Sequence, residues 1–269
     1  MSITAYCLIL ALLATGYTGC ATLRKSDLVR TQKQRSAAKK YALGNWMDRR
    51  DAVHEIVNYY GKDKNDLVIG TLMVASNDLS SAVRREAVEG LAKIGNKGAL
   101  DTIKKIASDE KEKNVRWYSL RALRTVKGSA EDPSAADVYI KGTRSNDWLI
   151  REESIRGILA MDDAIIRKKC IPTIIRLMKD PSSSVALTTF RELKTRDPLL
   201  YQAITGRFQA CGEFDYSMLE ATLTALDGYR LDQKTREKVI DLLVHHNTAI
   251  RLLALRVLKK DKTLAEQKK

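Results

Sequence analysis

The sequence is poor in the residues that staple small folds and build active sites. Its 269 residues include four cysteines, four prolines and three histidines, and aromatic side chains make up 6%. Four cysteines are too few for a disulfide scaffold, and scarce proline in a chain rich in Ala, Leu, Lys, Arg and Glu favours helix. No metalloprotease, Cys-x-x-Cys, nucleophile-elbow or phosphate-loop motif occurs. We therefore expect no enzyme, no cofactor, no metal and no small-molecule substrate.

Positive charge dominates, but it is concentrated at the two ends of the chain. The formal net charge is +14. Residues 21–50 carry +7 and residues 256–269 carry +4, which leaves +3 for the 205 residues between them. Because a protein that covers many phosphates needs basic residues along its binding surface, nucleic acid is not the expected partner. Basic ends beside a nearly neutral body instead favour contact with an anionic surface such as a membrane.

The N-terminus has the features of an export signal. No charged residue occurs before Arg24, and residues 7–14 form an apolar run that is too short to span a bilayer. Thr18 and Gly19 follow this run and directly precede Cys20. This arrangement resembles the lipobox of bacterial lipoproteins, in which small residues precede a cysteine that is linked to diacylglycerol and becomes the first residue of the mature protein.

The lipobox resemblance implies where the protein resides. Residues 1–19 would be the signal peptide, Cys20 would carry the lipid, and residues 20–44 would form a basic linker or first helix next to the membrane. The mature protein would be anchored to the cell membrane or the outer membrane on its extracytoplasmic side. Two alternatives stay open: a secretory signal cleaved near Ala21, and an uncleaved N-terminal anchor.

A sequence pattern recurs at intervals of 32 to 35 residues along the rest of the chain. Its clearest copies cover residues 82–95, 114–128, 149–161 and 249–260. The residue that opens each copy, called position 1 here, is Val-like in most of them. The seven copies begin at residues 48, 83, 115, 150, 185, 218 and 250. A period of this length is typical of helical solenoids.

Each copy has a small residue four places after position 1 and an aliphatic residue eight places after it. Positions four apart share one face of a helix, so these residues predict a buried stripe with a small side chain where two helices touch. The small residues are Ala52, Ala87, Ser119, Ser154, Thr189, Thr222 and Ala254. The aliphatic residues are Ile56, Leu91, Leu123, Ile158, Leu193, Leu226 and Leu258.

Two stretches of sequence indicate the type of repeat. They are Val83, Arg84, Ala87, Leu91, Ile94 and Gly95 in a first helix, and Ile171, Pro172, Ile174, Asp180 and Pro181 in a second helix and its closing turn. They resemble HEAT repeats of the short form known from phycocyanobilin-lyase-type proteins. The resemblance implies an all-α fold, a right-handed α-solenoid of about six to seven helix pairs over residues 45–260, followed by a basic tail at 261–269.

The same resemblance implies a structural role for the arginine that follows position 1. In such repeats this arginine pairs with an acidic residue of an inter-repeat loop, and the pairs form a ladder along the solenoid. The arginines concerned are Arg49, Arg84, Arg116, Arg151 and Arg251. We expect structure rather than ligand binding from them.

Two groups of residues are candidates for binding a partner. Second helices line the concave face of HEAT solenoids, where partners bind, and basic residues on these helices form the first group. They are Lys104, Lys105, Arg176, Lys179 and Arg207. Aromatic residues beside arginines near the starts of first helices form the second group: Trp117 and Tyr118 with Arg116 and Arg121, and Trp148 with Arg151. A merely solvated face, on which we place Lys104, and packing between repeats are the respective alternatives.

The histidines and the buried cysteines do not predict chemistry. His54 stands alone, and adjacent residues on a helix such as His245 and His246 point about 100° apart, so they cannot share a metal without a third ligand nearby. Cys170 and Cys211 fall about 12 Å apart along equivalent helices at 1.5 Å per residue. A disulfide needs Cα atoms within about 7 Å, so we expect two buried thiols.

The sequence favours a membrane-tethered scaffold of the cell envelope that binds a protein or another envelope component through a HEAT solenoid. The main alternative is a basic, cytoplasmic HEAT-type protein that binds nucleic acid. A third interpretation is a chaperone-like lyase of the phycocyanobilin type, but an exported protein would not meet that substrate.

Overall fold

The structure is a computed structural model that describes residues 25–60 and 66–261. Helix is the regular structure of these residues, and they contain no strand. None of the described helices is both long and apolar enough to cross a membrane. The predicted signal peptide, Cys20 and nearly all of the basic tail lie outside the described residues.

The chain divides into two compact units, one ending at Val138 and the other beginning at Tyr139. The helices of the first unit are α1 (Lys25–Leu43), α2 (Trp46–Glu55, extended by a π-helical turn at Ile56–Tyr60), α3 (Asp66–Ala75), α4 (Ser81–Ile94), α5 (Lys97–Asp109) and α6 (Lys113–Thr125). Helix α7 (Pro133–Gly142) contains the boundary.

The second unit continues the same order of elements. Its helices are α8 (Trp148–Leu159), α9 (Asp163–Ile165), α10 (Ile171–Leu177), α11 (Ser183–Arg191), α12 (Pro198–Ala210), α13 (Tyr216–Leu226), α14 (Gln233–Asp241) and α15 (Thr248–Lys260). A π-helical turn at Ile166–Cys170 joins α9 to α10, and a 3-10 turn at Leu242–Val244 extends α14.

The helices of each unit form two layers. First helices pack on first helices: α2 on α4 and α4 on α6 in one unit, and α8 on α11, α11 on α13 and α13 on α15 in the other. Second helices pack on one another in the same way, α3 on α5 and α10 on α12. This is the arrangement of an α-solenoid built from helix pairs, so the predicted all-α solenoid fold is confirmed.

The period read from the sequence also sets where the first helices begin. The N-cap residue stands three places before position 1 in all seven copies: Asn45, Ser80, Glu112, Asp147, Ser182, Asp215 and Asn247. Asn45 completes a capping box with Asp48. Side-chain oxygens of Asp147 and Asn247 each accept a hydrogen bond from a first-turn N–H at 2.9 Å. Such bonds satisfy backbone donors that the helix itself leaves unpaired.

The predicted buried stripe is confirmed. Every small residue at the fifth position, from Ala52 to Ala254, is 0% exposed. Four of them carry a hydroxyl, which would be costly to bury without a partner. Each hydroxyl donates to the carbonyl of position 1 in its own helix at 2.7 to 2.8 Å. Ser and Thr therefore replace Ala there without leaving a buried polar group unsatisfied.

A glycine lies in close contact with an aromatic ring in the second unit. Gly157 lies on α8 and is buried, and a Cβ atom added to it would overlap the ring of Tyr139 on α7. Tyr139 is itself 1% exposed, so its ring has no free space to enter. A second helical glycine, Gly206 on α12, has nothing within 4 Å of the same added atom.

We expect the two glycines to respond in opposite directions to alanine. Gly157→Ala overfills the contact with Tyr139 and should lower the free energy of unfolding by about 1–3 kcal/mol. Gly206→Ala should raise it by about 0.5–1 kcal/mol, because alanine has the higher helix propensity. Urea denaturation followed by circular dichroism measures both changes. Stabilisation by Gly157→Ala would show that α7 and α8 pack differently.

Candidate functional site

The arginine ladder exists in part and connects consecutive loops. Arg49 binds Asp78 through Nε and Nη2 at 2.7 and 2.9 Å, and Arg151 binds Asp180 through two contacts of 2.8 Å. Arg84 makes the same bidentate pair with a glutamate, Glu110, at 2.7 and 3.0 Å. The acidic partner lies 26 to 29 residues ahead of its arginine. These three arginines therefore have the structural role that the resemblance implied.

Two of the five arginines depart from the ladder. Arg116 donates to the carbonyl of Ala107 at 3.1 Å and forms no ion pair among the described residues. Residues 142–145, at the matching distance ahead of it in sequence, include no carboxylate. Arg251 donates to the carbonyls of His245 and His246 at 2.7 and 3.0 Å. The expectation that all five arginines pair with an acidic loop residue was wrong for these two.

The carboxylates of the ladder are held in their ionised form. Burial alone would raise the pKa of Asp180, but hydrogen bonds from Arg151 and from the backbone N–H of Ser182 outweigh it and lower that pKa below its usual value. Burial likewise opposes ionisation of Asp78 and Glu110, but hydrogen bonds from Arg49 and Arg84 outweigh it and lower both pKa values. These ion pairs therefore make their full contribution to the free energy of unfolding above the usual carboxyl pKa of about 4. The contribution is lost as the pH falls through the lowered pKa values.

We expect Arg151→Met to destabilise the protein by about 3–5 kcal/mol at pH 7, because it leaves the Asp180 carboxylate buried without its cation. The side chain of Asp180 is only 3% exposed. The difference from wild type should shrink as the pH falls and Asp180 becomes neutral. Lys93→Met, which breaks an exposed pair with Glu89, serves as the control and should cost less than about 0.5 kcal/mol. Urea titrations between pH 3 and 7 would reveal a pH-independent difference, which would contradict this interpretation.

The predicted basic residues of the second helices fall into two classes. Lys104 is not on a solvated face: its ammonium contacts Asp101 and Asp132 at 2.8 Å, and its side chain is 17% exposed. That expectation was wrong because Asp132, at the start of α7, reaches back to it. Arg176 donates to the carbonyl and hydroxyl of Thr143 and thus also connects neighbouring helix pairs. The remaining members of the group are exposed: Lys105, Lys179 and Arg207.

The predicted pairing of aromatic residues with arginines is found for Arg121 but not for Arg116 or Arg151. Trp148 is 45% exposed at the start of α8, but Arg151 is bound to Asp180 rather than to its ring. Trp117 is half-buried on α6, and of the two arginines predicted beside it only Arg121 lies over its ring, 5.5 Å from the ring centroid.

Four side chains form what we call the arginine–aromatic cluster: Arg85 on α4, and Trp117, Tyr118 and Arg121 on α6. The two aromatic rings meet edge to face with centroids 4.9 Å apart. Arg85 lies over Tyr118 at 5.2 Å, as Arg121 lies over Trp117. Both arginines are exposed, and neither forms an ion pair within the described ranges. The cluster therefore presents two guanidinium groups, held by aromatic faces but not neutralised.

The equivalent arginines of later repeats are neutralised by neighbours. Arg121 stands six places after position 1, as do Arg156 and Arg191. Arg156 contacts Glu152 at 2.8 Å and also Glu192, while Arg191 lies 3.6 Å from a glutamate on α13. Arg121 lacks such a partner, so its charge is available to a ligand.

The sequence alone indicated part of this cluster. Trp117, Tyr118 and Arg121 stand out as one short motif, whereas Arg85 lies 32 residues earlier in an unremarkable stretch. Arg85 and Trp117 nevertheless occupy the same place, two residues after position 1, in consecutive copies. The repeat period was therefore the signal that could have brought Arg85 into the cluster.

Comparison with known proteins agrees with this architecture. Residues 69–158 match the family described as HEAT repeats. Two crystal structures of an engineered protein from the Northeast Structural Genomics Consortium are similar in fold. One is 15% identical with a TM-score of 0.50, covering 86% of this chain and 97% of its own. The other is 16% identical with a TM-score of 0.55, covering 96% and 68%. No curated protein matches the chain.

The matched residues, 69–158, include the arginine–aromatic cluster and the ion pair between Arg84 and Glu110. The chain therefore contains a HEAT-like domain, a class of helical repeat that generally mediates binding between proteins.

Proposed function

We propose that this protein is a lipid-anchored scaffold of the bacterial cell envelope that binds an acidic segment of a partner protein through the arginine–aromatic cluster. The observation that carries the proposal is the pair of un-neutralised guanidinium groups stacked on Tyr118 and Trp117. Trp, Tyr and Arg are the residues most enriched at the energetic centres of protein interfaces.

The chemistry of the cluster favours a carboxylate-bearing partner. A guanidinium presents paired N–H groups that match the two oxygens of a carboxylate. Because stacking on a ring already restricts each arginine, less side-chain entropy is lost when a ligand binds. Tyr118 is 39% exposed and offers apolar surface next to these charges. An acidic peptide with an aromatic or aliphatic residue meets both requirements.

Nucleic acid fits this surface less well. Residues 51–255 carry only +3 in total, and most arginines of the ladder are occupied by carboxylates. Two free guanidinium groups would neutralise few phosphates and give little of the salt-dependent affinity that nucleic-acid binders show.

The membrane part of the proposal is supported by the lipobox-like sequence at Cys20 and by helix α1. On this helix Lys33, Lys39 and Lys40 are exposed, while Tyr41 is buried and donates to Asp78 at 3.1 Å. Basic residues close to an anionic leaflet contribute about 1 kcal/mol each. The exposed lysines of α1 are therefore suited to support a lipid anchor that lies upstream of them.

Tyr118→Ala and Arg85→Ala should each weaken partner binding by at least about 30-fold, which corresponds to the loss of roughly 2 kcal/mol at an interface centre. Crosslinked envelopes would be used to capture the partner with the wild-type protein and with each variant. Lys105→Ala, an exposed lysine outside the cluster, is the matched control and should capture the partner normally.

Equal loss in the Lys105→Ala control would contradict a role for the cluster. Tight duplex DNA binding that falls steeply with salt and is abolished by Arg85→Ala would replace the scaffold by the nucleic-acid alternative.

The anchor is tested separately from the partner. Cells supplied with an alkyne fatty acid should label the wild-type protein, and Cys20→Ala should remove the label and release the protein from the membrane fraction. A mature chain that retains residues 1–19, or label that persists in Cys20→Ala, would remove the anchor from the proposal without affecting the binding surface.

A further inference from the structure

His245 and His246 do not lie on a helix, contrary to the expectation from sequence. The 3-10 turn that extends α14 ends at Val244, and His245 has φ −59° and ψ 142°, an extended conformation. The two imidazole rings consequently stack, with centroids 4.2 Å apart and planes inclined by 27°. Glu213, in the loop between α12 and α13, lies beside them. A candidate for the third ligand that the sequence argument required therefore lies beside the two rings.

We infer that Glu213, His245 and His246 form a binding site for a divalent transition metal ion of the zinc type. One nitrogen of each ring and one carboxylate oxygen of Glu213 lie within 4.8 Å of one another. Two imidazoles and one carboxylate are a ligand set used by zinc sites that keep a fourth position open.

One distance in the cluster suits a shared metal better than a direct hydrogen bond. His246 Nδ1 and Glu213 Oε1 are 3.5 Å apart, whereas charge-assisted N–H···O bonds measure about 2.7–2.9 Å. Two ligands on a tetrahedral zinc ion, each about 2.1 Å from it, are roughly 3.4 Å apart. The side chains of Glu213 and His246 are 62% and 47% exposed. The Glu213 carboxylate can therefore rotate to close the remaining gap to His245.

The hydrogen bond of His246 resembles those that orient metal-binding histidines. His246 Nε2 lies 2.6 Å from the hydroxyl of Tyr216, which leaves Nδ1 to face Glu213, and ligand histidines commonly bind such a partner through their second nitrogen. His245 differs, because Nε2 donates to the carbonyl of Glu213 and Nδ1 accepts the N–H of Asn247, each at 3.0 Å. It must give up one of these bonds and turn out of the stacked arrangement when the metal enters, so the affinity is modest.

The site opens onto a cleft of the same unit that a small ligand can enter. Glu213 and His245 line a cavity of about 540 Å³, together with Gln209 and Lys238. The side-chain nitrogen of Gln209 is buried and has no hydrogen-bond partner among the described residues. Lys238 donates to the carbonyls of Phe208, Gln209 and Cys211 at 2.8 to 3.0 Å. Its charge is thus engaged by backbone oxygens.

The first unit provides a natural control. His54 contacts Glu86 at 2.7 Å, and Asn58 contacts its other nitrogen at 2.7 Å. His54 is exposed and Glu86 is partly buried, and no second imidazole lies beside this pair in the described residues. A single histidine–carboxylate pair is not expected to hold zinc at a defined stoichiometry.

The test is zinc binding by the full-length protein after treatment with a chelator. Calorimetric titration with ZnCl₂ should give one site per chain, and Co²⁺ should produce the visible absorption of a tetrahedral complex. His246→Ala and Glu213→Gln should each lower the zinc affinity by more than about tenfold, and Tyr216→Phe by about tenfold. His54→Ala should leave the affinity unchanged.

Circular dichroism of the variants distinguishes loss of a ligand from loss of fold. His246 and Glu213 are exposed, so their substitution should preserve helicity and the melting temperature of the metal-free protein. Zinc should raise the melting temperature of the wild type but not of His246→Ala. The inference is overturned if zinc does not bind at one per chain, if His246→Ala and Glu213→Gln bind it as well as wild type does, or if His54→Ala weakens binding equally.

Discussion

A buried carboxylate in the loop between consecutive helix pairs is the constraint on which the rest of the structure depends. Asp78 accepts hydrogen bonds from both nitrogens of Arg49, from Tyr41 on α1 and from the backbone of Ser80. A carboxylate removed from water is tolerated only when such partners surround it. The carboxylate of Asp78 therefore fixes three features together: the position of the arginine, the course of the loop and the N-cap of the next helix. Asp180 repeats the arrangement with Arg151 in the second unit.

The period of the sequence predicted much of the fold because it records contacts that each repeat makes in the same way. The position of Ala52 and its counterparts must be small wherever two first helices touch, and the N-cap must stand where the chain turns. Both features recur every 32 to 35 residues and can be recognised without a structure. Ion-pair partners that come from a neighbouring repeat follow this period less strictly. Arg116 keeps its place in the repeat, but residues 142–145, where its partner would stand, include no carboxylate.

The errors of the sequence analysis share a physical origin. Lys104 was expected in solvent because its own helix has a polar face there, but Asp132 lies 28 residues away and neutralises it. His245 and His246 were assigned to a helix that ends one residue earlier, at Val244. A single residue at a helix end decides whether two neighbouring side chains diverge or stack, and propensity does not resolve boundaries that finely. Arg85 was missed because its aromatic partner belongs to the following repeat.

Helix α1 has a mechanical consequence for an anchored protein. It packs on α2 and α3 and is fixed near its C-terminal end through Tyr41. Only residues 21–24 separate this helix from Cys20, and a chain of that length extends at most about 18 Å. If Cys20 carries the proposed lipid, the domain would stay close to the bilayer. Its search for partners would then be confined to a thin layer at the membrane surface, where a modest affinity for a neighbouring membrane protein would act at a high effective concentration.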